Sequence, residues 1–460
     1  MIVSVLVLLT VGTVLAVVYL KPSAKVTPSS AAAAAAAADS DSAAAVAVVS
    51  NVEVVAEDDS PAGPVSLDYQ LQHEKMAPSD FTGANNDVGE SIDISADGNT
   101  LVAGANGDDN NRGAAWIFVR SGSTWAQQGL RLRGSDGDGG NQYQGYSVAL
   151  SADGNTMASG AYNENKGQGA VWVFVRTGTS WAQQGNKLVG TGGISVEMWQ
   201  GYSVALSADG NTLAIGAFVE DNFQGAVWIF TRSGTTWTQQ ARVSGTGGVG
   251  DQYQGSAVAL SSDGNTLAVS GRGDNGNIGA VWIFTRGGIT WTQQGLKLTP
   301  NDGVGTPRQG AALALSGDGN TVIAGGYSDN TNVGAVWVFR RNVTDQWEQD
   351  GTKIIPPDDA LADDGELRFG REVALSTDGI VLAVAATSDS VGNGTVWGYV
   401  DNGDGFTLAT TKFRPPDADA GIGVADALAL STDGATLAMG VRNEDANLGA
   451  AWIYVNADAV

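Results

Sequence analysis

Residues 201–240 read GYSVALSADGNTLAIGAFVEDNFQGAVWIFTRSGTTWTQQ, and the chain carries this segment, with substitutions, seven times. One aspartate marks a turn in each copy: Asp97, Asp153, Asp209, Asp263, Asp318, Asp378 and Asp433. One tryptophan marks a later apolar run: Trp116, Trp172, Trp228, Trp282, Trp337, Trp397 and Trp452. Both series advance by 56, 56, 54, 55, 60 and 55 residues. A period of this length is one supersecondary unit that cannot bury its apolar faces alone and must stack on its copies.

Within a copy, 202–207 and 212–217 have small or apolar residues at alternate places and suit buried strands. Ala208-Asp209-Gly210-Asn211 between them is a tight turn, because Asp-Gly and Gly-Asn tolerate positive φ. A polar loop over 218–224 closes at Gly225. The β-branched and aromatic run AVWIFTR over 226–232 then predicts a third strand. After a second turn, Trp237 opens a fourth, WTQQARV. The fold class is therefore all-β, and seven four-stranded antiparallel sheets at this spacing predict a seven-bladed β-propeller.

An open solenoid would leave its end sheets uncovered, and the chain ends argue against it. The last copy stops after AWIYV at 451–455, with no fourth strand, while an orphan strand DYQLQHEKM stands ahead of the first copy at 68–76. Tyr69 precedes Gly89 by 20 residues, as Trp125 precedes Gly145 and Trp181 precedes Gly201. The N-terminal strand is thus expected to complete the last blade, close the ring and remove its open edges.

Residues 2–20 form a continuous apolar run long enough to span a bilayer. We expect a transmembrane anchor or signal helix over 1–21, an alanine-rich low-complexity stalk over 22–66 and the propeller over 67–460. Lys21 and Lys25 alone are too few to place the C-terminal side in the cytoplasm against the exported character of the rest. The sequons Asn342-Val343-Thr344 and Asn393-Gly394-Thr395 are compatible with export. A net charge of −25 argues against a phosphate-neutralising, nucleic-acid-binding surface. With no cysteine there are no disulfides, thiolate metal sites or cysteine nucleophiles.

Phe369-Gly370 and, more loosely, Val88-Gly89, Gln144-Gly145, Gln200-Gly201, Gln254-Gly255 and Gln309-Gly310 match an "FG" position. Gly104-Ala105, Gly160-Ala161 and Gly216-Ala217 match a "GA" position ahead of a GAVWIF-type strand. In these residues the chain resembles the FG-GAP repeat family, the propeller type also found in integrin alpha chains and in exported microbial proteins. The resemblance covers about 85% of the chain and implies a propeller that serves adhesion or another extracellular interaction. Integrin-type repeats also carry a calcium loop of several aspartates. Here Ser-x-Asp-Gly offers one carboxylate per copy, short of the six to eight oxygens calcium takes, so no calcium site is carried over and no cofactor is expected.

No Ser/His/Asp set, HExxH or phosphate loop is present, and the single histidine, His73, lies on the expected closing strand. The chain is not expected to be an enzyme. A carboxylate glycosidase needs only two acids, and two close, pocketed carboxylates would be its structural sign. Eight residues before each third-strand tryptophan lies an acid: Asp108, Glu164, Glu220, Asp274, Asp329, Asp389 and Glu444. Seven-fold occurrence predicts a structural task, hydrogen bonding to loop N–H groups. The acidic loops Asp136-Gly137-Asp138, Asp358-Asp359 with Asp363-Asp364, and Asp401 with Asp404 lack the spacing of a calcium loop and read as solvated.

Twelve of the thirteen tryptophans sit at two repeat positions; Trp199 does not. It stands in the loop ahead of blade three, where blade two has Tyr143 and blade four has Tyr253, while Tyr162 and Phe218 start the loops between second and third strands. These loops share one end of the ring. Tyr143, Tyr162, Trp199, Phe218 and Tyr253 are the candidate binding residues, by stacking on sugars or anchoring a protein; packing along blade seams is the competing use. The matching places in blades five to seven hold Arg308, Tyr327, Arg368, Thr387, Gly423 and Arg442. Arg272-Gly273-Asp274 spells an integrin-binding tripeptide, a coincidence of arginine ahead of a repeat carboxylate. The expectation is a monomeric, membrane-anchored or secreted cell-surface protein that binds an extracellular protein or glycan, with a purely structural surface propeller as the alternative.

Overall fold

The computed structural model describes residues 5–11, 14–20, 67–83, 85–357, 366–387, 394–419 and 422–457. The chain divides into two compact units, Met1–Ala62 and Gly63–Val460. In the first, Val5–Val11 and Val14–Leu20 pair antiparallel, with Val5 opposite Leu20. The rest of the expected anchor and the whole stalk lie outside the described residues. No described helix is long and apolar enough to cross a membrane.

The second unit is a seven-bladed propeller of four-stranded antiparallel sheets. Blade three shows the plan. Its inner strand Ser203–Leu206 pairs with Thr212–Ala217, then Ala226–Ser233, then the outer Thr236–Val243. The turn between the first two is built by its own side chains. Asp209 accepts from the Ser207 hydroxyl at 2.6 Å and the Asn211 amide at 2.9 Å, and Ser207 Oγ accepts the Thr212 N–H at 2.9 Å. Gly210 takes φ 64° there, which a glycine adopts without strain.

The last blade is completed by the N-terminal strand. Tyr69–Met76 pairs antiparallel with Ala450–Asn456, so the ring is closed as the 20-residue offset predicts. Lys75 reaches Glu444 and Asp445, both at 2.7 Å. The closing strand thus supplies its blade's cation as the ordinary fourth-strand segments of other blades do.

Outer strands are shorter than WTQQARV suggests. Thr124–Gln127, Ser180–Gln183 and Thr290–Gln293 stop after four residues, and the chain rejoins the blade at single bridges such as Ala115 to Leu132. Gly129, Gly185 and Gly295 turn the backbone out with φ 77°, 75° and 71°. Blade three lacks that glycine and keeps the long strand, with a bulge at Ile229 and Phe230.

The core lies in the seams. Each apolar cluster joins two neighbouring blades; one sets Val102 and Ile117 of blade one against Trp172 and Phe174 of blade two. All seven third-strand tryptophans are buried. Burying such rings is the largest apolar contribution a seam can make. Blade contacts are also close at the backbone: a Cβ on Gly104 would run into the carbonyl of Gly145 in the next blade.

At one end of the axis, the turns between inner and second strands join into a circle. The N–H of Ala96 donates to Ala152 (2.9 Å), Ala152 to Ala208 (3.0 Å), Ala208 to Ser262 (3.0 Å), Ser262 to Gly317 (2.9 Å) and Gly317 to Thr377 (2.7 Å). Asp378 donates to Thr432 (3.3 Å), and Thr432 back to Ala96 (3.1 Å). Above this circle lies a cavity of about 410 Å³, walled by inner-strand aliphatic side chains and a single charged one, Asp93.

Candidate functional site

The opposite end of the propeller carries the variable loops, and three residues per blade converge there. The first opens the turn into the inner strand and supplies Asp87, Tyr143, Trp199, Tyr253, Arg308 and Arg368 in blades one to six, all with positive φ between 56° and 61°. The turn enforces this. Trp199 N–H is held by the Gly167 carbonyl of the preceding blade at 2.9 Å, and its own carbonyl accepts the Tyr202 N–H at 3.1 Å. A left-handed backbone costs a bulky L-residue about 1–2 kcal/mol relative to glycine. Side chains kept at that cost in five consecutive blades mark a position where the side chain itself is used.

The second position follows a positive-φ residue, glycine in blades one to six and Ala425 in blade seven, and supplies Glu90, Tyr146, Tyr202, Ser256, Ala311, Arg371 and Asp426. The third starts the loop between second and third strands and supplies Tyr162, Phe218, Arg272, Tyr327 and Arg442. Together they divide the mouth into three arcs.

Blades two to four form an aromatic arc. Tyr143 stacks on Tyr162 at 5.2 Å, Tyr162 meets Trp199 at 5.1 Å, Trp199 meets Phe218 at 5.3 Å and Phe218 meets Tyr253 at 5.6 Å. All five expected residues therefore touch in sequence. Phe218 is 7% exposed, so it is a buried spacer rather than a contact residue, and the seam-packing use holds for it. Tyr143, Tyr162, Trp199 and Tyr253 are half-buried, each with part of its ring open. Tyr146 and Tyr202 lie beneath them, 4.8 Å apart, and Phe223 flanks Tyr253 at 5.5 Å. Burial pushes the Tyr146 hydroxyl up, helped by Tyr202 and Glu90, and raises Tyr162 to about 12, so both stay protonated donors at neutral pH.

Blades four to six form a cationic arc. The Arg272 guanidinium lies over Phe218 (5.5 Å) and Tyr202 (6.0 Å). Tyr327 receives two guanidinium groups, Arg371 at 5.3 Å and Arg308 at 5.7 Å, and its hydroxyl accepts from Arg308 at 2.7 Å. Arg368 pairs with Glu366 at 2.9 Å. Glu372 is only loosely placed against Arg371, at 3.9 Å; burial raises its carboxyl to about 8 against the pull of that arginine.

Blades seven and one form an acidic arc. Arg442 bonds Glu90 at 2.9 Å and Asp426 at 3.4 Å. Burial raises both carboxyls, while Arg442 opposes the shift. Burial also raises Asp87. Two carboxylates thus share one guanidinium at the channel mouth.

The remaining expected sites resolve into structure. Asp108, Glu164, Glu220, Asp274, Asp329 and Glu444 are buried and each accepts a backbone N–H from the loop that enters its own blade from the preceding one, as Asp274 does from Val249 at 2.7 Å. Each also holds a cation: Arg131 and Arg133, Lys187, Arg242, Lys297, Lys353 and Lys75 in turn. Asp389 lies outside the described residues. Asp136 is half-buried and accepts the Trp172 indole N–H at 2.6 Å, while Asp138 of the same loop is exposed. Asp401 pairs with Arg340 at 2.6 Å, and the acids at 358–364 are outside the described residues. Arg272-Gly273-Asp274 cannot be displayed, because Asp274 is buried against Lys297. Asp419, Glu444 and Asp445 are the one described group of acids close enough to share an ion, and Lys75 already occupies it.

No family model matches the chain, and no curated protein matches it. Solved structures do. A structure of U3-55K aligns at a TM-score of 0.50 and 11% identity, over 85% of this chain and 99% of that one. Hydrazine synthase of Kuenenia stuttgartiensis aligns at a TM-score of 0.48 and 12% identity, over 82% and 98%. At such identity the first likeness is one of fold alone, and what this chain is similar to in it is the propeller.

Proposed function

We propose that this is an exported, surface-displayed binding propeller of the FG-GAP type, which captures an extracellular glycan or protein at the loop end of its channel. One observation carries the reading: the mouth concentrates aromatic and arginine side chains at a left-handed backbone position where glycine would be cheaper. Variable loops on a fixed scaffold are where recognition usually resides. The other end, ringed by repeated turns, offers no comparable variety. The N-terminal apolar run supports export.

The test is a glycan array and a surface-protein pull-down with the parent and with Trp199→Ala combined with Tyr253→Ala. The double variant should bind ten- to a hundredfold less tightly, about 1–3 kcal/mol, with an unchanged far-ultraviolet spectrum. Full affinity in the double variant would sink the assignment of this face.

A second reading, a carboxylate-dependent glycosidase, is favoured by the Glu90 and Asp426 pair at the same mouth, with Glu372 raised to about 8. It predicts slow release of reducing ends from whichever glycan binds, abolished by Glu90→Gln.

A further inference from the structure

We propose that the ligand at this mouth is an acidic polysaccharide whose sugar rings rest on the aromatic arc and whose anionic groups are held by Arg272 and Arg308. The inference rests on the reading of the loop face as a binding surface and names the chemistry of what binds there.

Charge is the first argument. The chain has a net charge of −25; twelve of its 24 lysines and arginines sit in ion pairs among the described residues, and Arg120, Arg176, Arg232, Arg286 and Arg341 are spread around the ring over the outer-strand tryptophans. Arg272 and Arg308 have no carboxylate within ion-pair distance among the described residues; they lie over aromatic rings instead. Arg371 has only Glu372 within ion-pair distance among the described residues, at 3.9 Å. The arc over blades four to six is therefore an isolated positive region on an acidic protein. A guanidinium supported on a ring face keeps its remaining N–H donors oriented for an anion; Arg308 spends one of them on the Tyr327 hydroxyl.

Shape and polarity are the second argument. Tyr143, Tyr162, Trp199 and Tyr253 are half-buried, and among these mouth aromatics only Phe223, 42% exposed, counts as an exposed apolar side chain. A protein hot spot needs a larger open apolar centre. Tyrosines offering part of a ring face and a hydroxyl suit a sugar, which has apolar C–H faces and hydroxylated edges. The open rings of Tyr143, Tyr162 and Trp199 step along the arc by 5.1–5.2 Å between centroids. Alternate side chains on one face of an extended peptide step by about 6.6–6.8 Å.

Orientation is the third. The carboxylates Asp87, Glu90 and Asp426 occupy the opposite side of the mouth. An anionic chain is repelled there and drawn toward Arg272 and Arg308, so it lies across blades two to five with its charged groups at the blade-four and blade-five end.

The test uses the full chain, the Arg272→Gln/Arg308→Gln variant and four probes: polygalacturonate, dextran sulfate, neutral dextran and poly-glutamate. The parent should bind polygalacturonate or dextran sulfate, and comparing the two identifies the anionic group as carboxylate or sulfate. Dextran should bind at least tenfold more weakly, and raising salt from 50 to about 500 mM should weaken the acidic ligands, as screening requires. The arginine variant should lose tenfold or more for the acidic ligand at an unchanged melting temperature, and Arg308→Lys alone should lose less than Arg308→Gln. Equal binding of dextran, or arginine-independent binding of the acidic glycans, overturns the inference while the loop-face reading survives if Trp199→Ala still weakens binding. Poly-glutamate bound as tightly, with the same arginine dependence, overturns it in favour of an acidic protein partner. Binding of no probe overturns it as well, and the loop-face reading is then decided by the pull-down.

Discussion

Replacing the two anchors of the closing strand should open the ring, and the structure gives the size of the effect. Tyr69 is 9% exposed, packs 5.8 Å from Phe413 and donates its hydroxyl to the Gly434 carbonyl at 2.5 Å. Met76 is 4% exposed and belongs to a different apolar cluster, the seam between the last blade and the first. Truncating a buried aromatic costs about 3–5 kcal/mol and a buried methionine about 2–5 kcal/mol. Seven extended residues separate them by roughly 20 Å, and substitutions that far apart with no shared neighbours add. Tyr69→Ala with Met76→Ala should then remove about 5–10 kcal/mol, comparable with the whole stability of an ordinary domain. Tyr69→Phe, losing one hydrogen bond, should cost about 1 kcal/mol. Urea unfolding followed by tryptophan fluorescence reads all three, since the third-strand indoles are buried. The strong form of the test adds a synthetic peptide of residues 67–76 to a chain lacking them and looks for recovery of the midpoint. A double variant that unfolds at the parent's urea concentration would refute the idea that this strand holds the ring shut.

Asp274→Asn should strand the Lys297 ammonium beside a neutral amide and cost about 3 kcal/mol in chemical denaturation; a loss below 1 kcal/mol would show the pair to be incidental. Asp93 stands on the cavity wall where the other blades have alanine, and burial raises its carboxyl to about 6 despite hydrogen bonds from Leu150 and Ile94. A folded value above the unfolded one near 3.9 means the native state binds more protons between the two, so stability falls as pH rises from about 4 to about 6. Asp93→Asn should flatten that slope by at most about 3 kcal/mol, and a parent-like pH profile in the variant would assign the slope to other groups. Millimolar calcium should leave the melting temperature unmoved, because Lys75 neutralises the one described group of acids that could share an ion; a clear upward shift would contradict this.

Blade number and closure were legible because they rest on sequence offsets. The distance from Tyr69 to Gly89 equals that from Trp125 to Gly145, and a ring follows from it. The aromatic arc was half legible: Trp199 broke the tryptophan pattern, but Tyr146 and Tyr202 read as ordinary strand starts. Only curling seven copies into a circle brings Glu90 of the first against Asp426 and Arg442 of the last. A signal existed, since the residue after the blade-opening glycine runs Glu, Tyr, Tyr, Ser, Ala, Arg through blades one to six, and Asp426 takes the same place after Ala425 in blade seven. The cation of five of the six described buried carboxylates was likewise visible as a lysine or arginine 22 to 24 residues downstream, from Asp108 to Arg131 through Asp329 to Lys353, whereas Glu444 takes Lys75 from the closing strand. Side-chain use, such as Phe218 turning inward, depends on packing that no offset encodes.

The circle of amides at the turn end fixes how this protein can change over generations. Each link runs from one copy's turn to the next, and the last returns to the first. Tandem repeats grow and shrink readily by duplication or loss of a copy. Here an eighth copy would have to be inserted between two turns already bonded to each other, and a missing one would leave a donor and an acceptor facing across a gap. Copy number is thereby locked, and the freedom left to drift lies at the other end, in loops whose sequences no circle constrains.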